Sequence, residues 1–298
     1  MVTDPLLDVA GVHFAYQPGR PVLSGADLRV EPGQRLAVVG PNGGGKTTLF
    51  RLAAGALTPG AGQVAVAGVR VRHNRTGLRA LRQQVQLVLQ DPDDQLFSAS
   101  VRQDVSFGPV NLGLPPEEVR RRCDEALTAL GVAALADRPT HLLSYGQRKR
   151  VAIAGAVAMR PRLLILDEPT AGLDPAGVEA LLRTLDDLHA AGTTVVLSTH
   201  DVDLAYRWAD AVAVVAGGEV RTMPAAAGLA DAGLLAAAHL LPAWAPLVHR
   251  LLDRIPGLAG ARPGSAADLA ALLTAESERE AGGRPPSHGE TAGSRSAG

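Results

Sequence analysis

Lysine is nearly missing from this chain of 298 residues: Lys46 and Lys149 are the only two, against 27 arginines. The bias, with abundant alanine and glycine, fits a GC-rich genome, and it makes each surviving lysine more informative than usual. Cysteine is scarcer still. A single Cys123 excludes an internal disulfide, and the start of the chain shows no basic-then-apolar leader, so a reducing compartment is expected, most simply the cytoplasm. No apolar run approaches the roughly 18–20 residues of a membrane span, so contact with a membrane would go through another protein. The net charge of −1 gives no global attraction to nucleic acid or anionic lipid, and any anion binding must therefore be local. What is present is ample apolar material, 46% of residues, enough for a proper core.

The order of patterns describes an α/β protein. Residues 6–30 alternate and end in the turn "EPG", predicting short strands ahead of an apolar strand, "RLAVVG", at 35–40. A glycine-rich loop at 40–45 leads into "KTTLFRLAAGAL", helical in spacing and stopped by Pro59-Gly60. Strands are expected at 62–68 and within 84–90, and a helix over 115–136, where acids occupy the first turn. "LLILDEP" is too short and too uniformly apolar for an amphipathic helix and reads as a buried parallel strand, as does "TVVLSTH" at 194–200. Between them lies a helix with Asp174 as N-cap, Pro175 in its first position and Gly192 after its end. Strand, helix, strand in this order predicts a right-handed crossover. Residues 223–275 read as short helices packed on the main domain, and 276–298, almost without large apolar residues, as disordered.

Two motifs carry chemistry. "GPNGGGKT" at 40–47 fits G-x-x-x-x-G-K-[ST] between a strand and a helix: the glycines turn backbone N–H groups toward phosphates, Lys46 reaches the β and γ phosphates, and the Thr47 hydroxyl can hold Mg²⁺. "LLILDEP" supplies what such a loop lacks. Asp167 would hold Mg²⁺ through water, and Glu168 would act as general base on the attacking water.

Together with "LSYGQ" (143–147) and "STHD" (198–201), these motifs stand in an order and spacing that resembles the ATP-binding cassette (ABC) ATPases over residues 5–222. The resemblance implies a P-loop NTPase with a RecA-like core, a β-rich opening subdomain and an inserted helical subdomain at about 91–160. It implies two cassettes, identical or related, sandwiching two ATP molecules, the signature of one closing on the γ-phosphate held by the other. On that pattern Gly40, Pro41, Asn42, Gly43, Gly44, Gly45, Lys46, Thr47 and Thr48 bind the phosphates in one subunit. Ser144, Gly146 and Gln147 approach them from the partner. Tyr16 would stack on adenine, although a half-buried core aromatic also fits its context. Gln90 would link Mg²⁺ and the attacking water to the membrane partner, Asp174 would sit at the dimer seam as well as capping its helix, and His200 would contact the γ-phosphate.

The segment "QDPDDQLFSASVRQDVSFGPVNLGLP" is similar to the ATPases of energy-coupling-factor importers, and "STHDVDLAYRWAD" with the tyrosine of "LSYGQ" looks more like their cobalt and nickel branch than their vitamin branch. This resemblance implies integral membrane coupling and substrate-binding partners, a peripheral place on the cytoplasmic face of the membrane, and no nucleic acid. A vitamin importer is the first alternative. A soluble cassette acting on DNA or another macromolecule is less favoured, since there is no long coiled-coil insert before "LSYGQ" and the charge is near neutral.

One stretch poses a puzzle. "LSYGQRKR" places Arg148, Lys149 and Arg150 at a helix N-terminus, whose partial positive charge repels cations. Ser144 and Gln147 have capping-box spacing, which explains the helix start and not the charges. The expectation is that a partner's ATP supplies the missing anion, that at least one cation pairs instead with Asp91, Asp93 or Asp94, and that Tyr145, standing where the family has glycine, turns its side chain away.

Overall fold

In the computed structural model, which describes residues 4–261, 263 and 266–282, the opening alternation folds into a hairpin of β1 (Leu7–Gln17) and β2 (Arg20–Val30). The next apolar strand, β3 (Arg35–Val39), leaves that hairpin for a second sheet, and α1 (Lys46–Ala53) follows it. The chain then returns: β4 (Ala61–Val66) pairs antiparallel with β1, and the short β5 (Val69–Arg70) completes a four-stranded sheet in the order β2-β1-β4-β5. The β-rich opening is therefore an antiparallel sheet with a break in it, and the break is where the phosphate loop goes.

The rest of the larger unit runs α2 (Arg75–Gln84), β6 (Val85–Val88), α3 (Val101–Asn111), α4 (Pro116–Ala129), α5 (Tyr145–Ala158), β7 (Leu163–Leu166), α6 (Pro175–Ala190), β8 (Thr194–Thr199), α7 (Val202–Trp208), β9 (Ala211–Ala216) and β10 (Glu219–Pro224). The second sheet has the order β10-β9-β3-β8-β7-β6. All its pairings are parallel except β9 with β10. β7 and β8 are neighbours joined through α6, the crossover that the sequence predicts.

Both faces of the second sheet are covered, which is why its central strands carry apolar runs rather than an apolar/polar alternation. Successive side chains point to opposite faces. Leu36 and Val38 enter one core with α1 and the inner residues of the first sheet, while Ala37 and Val39 enter another with α3 to α7. Each of the four is fully buried. The strand ends on this platform are thus fixed from above and below.

Several boundaries differ from the sequence reading. α1 stops at Ala53, where Gly55 takes φ 70°, and α4 stops at Ala129, ahead of Gly131 at φ 63°; both are glycine terminations in the left-handed region. α2 was not expected, and it precedes the helical insert formed by α3, α4 and α5. The larger unit extends to Ala243 and not to residue 222, because α8 (Ala225–Gly228) and α9 (Ala232–Ala237) bring Leu229, Leu235, Ala238 and Ala243 into the same core as β9. The second unit, from Trp244, contains α10 (Trp244–Leu252) and α11 (Ala266–Gly282). α11 continues through 276–282, which the sequence reading assigns to disorder. Its Ala, Leu, Glu and Arg are strong helix formers, and the shortage of large apolar residues removes burial without removing that propensity. Residues 283–298 of that expected tail lie outside the described residues.

Candidate functional site

The loop after β3 is shaped by close backbone passage. A side chain at Gly40 would place its Cβ 2.5 Å from the Val215 carbonyl oxygen, and Gly45, the N-cap of α1, has φ 107°. No side chain caps α1, so the first N–H groups of the helix are left for an external acceptor. Lys46 is almost fully buried. Its Nζ donates to the carbonyls of Gly40 (2.8 Å) and Pro41 (3.2 Å) and lies 3.6 Å from Glu168 Oε1. Beside the loop, the Tyr16 hydroxyl meets Thr48 Oγ1 at 3.3 Å. The Tyr16 ring is edge-on to Phe14 and 55% exposed, so it is a surface aromatic and not a core one.

The two acids follow β7. The Asp167 N–H bonds the Val88 carbonyl at 2.9 Å, extending the parallel ladder by one residue and pinning the side chain at the sheet edge. Asp167 Oδ2 accepts from Thr47 Oγ1 and Oδ1 accepts from Ser198 Oγ, each at 2.6 Å. The same Ser198 hydroxyl accepts the Glu168 N–H at 2.8 Å, so one buried oxygen fixes both acids. Ser198 lies within "STHD", and the sequence assigns it no role; the signal available was a serine at the end of a buried strand, next to "VVL".

Glu168 is held in the left-handed region, φ 46°. Its Oε2 is 3.0 Å from His200 Nδ1, while its buried Oε1 has no hydrogen-bond partner and faces Lys46. A carboxylate anchored through one oxygen, with acceptor capacity left on the other, can take a proton from a bound molecule. Phosphate loop, Asp167, Glu168 and His200 thus come together at the ends of β3, β7 and β8.

The "LSYGQ" residues do not join them. Ser144 caps α5 in a full capping box with Gln147, and among the described residues no hydrogen bond or ion pair links Ser144, Gly146 or Gln147 to residues 40–48. The cations of this stretch turn back onto their own chain and not toward an incoming anion, while the expected pairing of one of them with Asp91, Asp93 or Asp94 is found. Arg148 pairs with Asp93 at 2.8 Å, Lys149 is buried with its Nζ on the carbonyls of Glu168 (2.7 Å) and Ala171 (2.9 Å), and Arg150 reaches the Leu130 carbonyl at 3.5 Å. Burial pushes the Lys149 ammonium down to about 8, partly opposed by the Glu168, Asp167 and Asp91 carboxylates. Tyr145 folds inward too: its ring lies against Gly172 and its hydroxyl donates to the Gln90 carbonyl at 3.3 Å. The side chain of Gln90 is itself exposed, and Asp174 caps α6 by accepting from the Gly177 N–H at 2.7 Å.

A phosphate loop ending one parallel strand, with paired acids ending the next but one, defines a P-loop nucleotide hydrolase. Residues 23–171 match the family model described as ABC transporter. The cobalt import ATP-binding protein CbiO of Rhodobacter capsulatus is 52% identical over 245 residues, covering 82% of this chain and 86% of that protein. The energy-coupling factor transporter ATP-binding protein EcfA of Methanothermobacter thermautotrophicus is 44% identical over 83% of this chain and 80% of its own length. Among solved structures, CbiO1 of Clostridium perfringens, described as part of the ABC transporter complex CbiONQ, superposes with a TM-score of 0.72 at 40% identity, covering 86% of this chain and 98% of that one. The chain belongs to the ABC transporter family, as an ATP-binding, ATP-hydrolysing subunit of the energy-coupling-factor type.

Proposed function

We propose that this subunit energises an energy-coupling-factor importer of cobalt or nickel ions, working as one of two cassettes beneath integral membrane partners. The observation that carries the substrate is the 52% identity to a cobalt import ATP-binding protein across most of both chains; relatives named EcfA specify no substrate and keep a vitamin importer as the alternative. No described helix is long and apolar enough to cross a membrane, so on this reading the chain sits peripherally on the cytoplasmic face. A groove of about 750 Å³ beside α2 and α3, where Phe97 and Phe107 are exposed and stack edge-on at 4.7 Å, offers the membrane partner a docking place.

On the same reading, the loop N–H groups and Lys46 bind the β and γ phosphates, and Tyr16 stacks on adenine. Glu168 takes the proton of the attacking water on Oε1 while His200, bonded to Oε2, orients the carboxylate and reaches the γ-phosphate. The hydroxyl of Thr47 and the carboxylate of Asp167 suit Mg²⁺, a hard cation that completes its shell with phosphate oxygens and water, with Gln90 as a further oxygen donor. Bound there, Mg²⁺ would neutralise charge on the phosphates. Ser144, Gly146, Gln147 and Asp174 belong to the seam with the second cassette, homologous or identical. Uptake of labelled cobalt or nickel by cells expressing the chain with its neighbouring membrane proteins tests the substrate: ATP-dependent accumulation of either ion is expected, and accumulation of a vitamin with neither ion would overturn it.

A further inference from the structure

Lys149 is a buried cation with no carboxylate in ion-pair range among the described residues, although its neighbours include Asp167 and Glu168. Burying a charge that way is costly, and an uncharged side chain would fill the same volume without the cost. What Lys149 does is donate to two carbonyls, Glu168 at 2.7 Å and Ala171 at 2.9 Å, spanning the turn that follows the acids. That turn needs holding. Glu168 is a non-glycine residue at φ 46°, a conformation disfavoured by roughly 1–2 kcal/mol and kept only where the surroundings impose it. Ser198 holds its N–H from β8, and Lys149 holds its C=O from α5.

α5 is also the helix that begins at the signature. The Tyr145 ring lies under the ammonium, 5.5 Å from Nζ to its centroid, and against Gly172, while its hydroxyl bonds the Gln90 carbonyl. A displacement of the first turn of α5 therefore pulls on the peptide that aims the base.

We infer that Lys149 is a positioning residue for Glu168, transmitting the placement of the signature helix to the base of the same subunit through its hydrogen bonds to the Glu168 and Ala171 carbonyls. The inference rests on Glu168 being the base. Its effect is on turnover and not on ATP binding, since among the described residues the hydrogen bonds of Lys149 go to the Glu168 and Ala171 carbonyls and none to the phosphate loop.

The experiment compares the full-length chain with Lys149→Met, Lys149→Arg and Glu168→Gln, measuring kcat, KM and ATP affinity, with thermal unfolding as control. Lys149→Met should lower kcat by about tenfold or more while ATP affinity stays within about twofold. Lys149→Arg, which keeps cationic donors, should recover part of the loss. In a Glu168→Gln background Lys149→Met should cost little further, because the group it positions is already gone. A Lys149→Met kcat within about twofold of wild type, a loss seen in KM alone, or an equal loss in the Glu168→Gln background would overturn the inference. If Lys149→Met does not fold, Lys149→Gln is read by the same criteria. Should Glu168→Gln itself turn over at the wild-type rate, the reading of the base fails; a silent Glu168→Gln with an active Lys149→Met sinks only the role of Lys149.

Discussion

At the scale of single residues, Ser198 shows how little material fixes the catalytic geometry. Its one hydroxyl, fully buried on β8, donates to Asp167 and accepts from the Glu168 backbone. Replacing it by alanine leaves a buried carboxylate oxygen short of a donor and a buried N–H short of an acceptor, a loss of about 1–3 kcal/mol for each group left unsatisfied. Ser198→Ala should therefore shift the denaturant midpoint downward with unchanged slope, and should lower kcat as Glu168 loses its anchor; an unchanged midpoint would refute the argument. The phosphate loop and "LLILDEP" are readable in the sequence because their chemistry is local, one residue after another. Of the partners of Arg148, Lys149 and Arg150, an acid among Asp91, Asp93 and Asp94 was expected and Asp93 is found, whereas the Glu168 and Leu130 carbonyls, backbone groups from distant segments, were not legible. Helix-end electrostatics raised the right question about these cations, and tertiary contacts within the chain answered it.

At the scale of elements, the approach of α5 to the loop before α6 is set by one glycine. A Cβ at Gly172 would sit 2.6 Å from the Tyr145 ring, and φ 76° disfavours any side chain there. Gly172→Ala should destabilise by about 1–3 kcal/mol through overpacking. In a Tyr145→Ala background the steric part disappears and the backbone part remains, so the substitution should cost less there; equal costs in a double-mutant cycle of unfolding free energies would mean that the ring is not what the glycine accommodates. Elements with strong signals, β3, β7, β8 and α6, were legible from apolar runs and caps. α2 was not, because its only large apolar residues are Leu78 and Leu81 among arginines and glutamines; the signal available was Asn74, which caps it by accepting from the Gly77 N–H.

At the scale of the whole molecule, every residue assigned to ATP lies in the unit ending at Ala243, and the core of that unit includes Leu229, Leu235 and Ala238. A chain cut after residue 222 exposes those partners and should lose thermal stability and ATP binding together. A chain cut after residue 243 should keep ATP binding, and if it lost binding as fully as the shorter piece, the division would be misplaced. The sequence places this boundary at residue 222 because the resemblance ends there, and it is the packing of Leu229, Leu235 and Ala238 that carries the unit on to Ala243. The central claim is that Glu168 removes the proton of the water that attacks ATP. The measurement that tests it most directly is ATP hydrolysis by Glu168→Gln alongside its ATP affinity: affinity should persist while turnover falls about a hundredfold or more, and turnover at the wild-type rate would contradict the account.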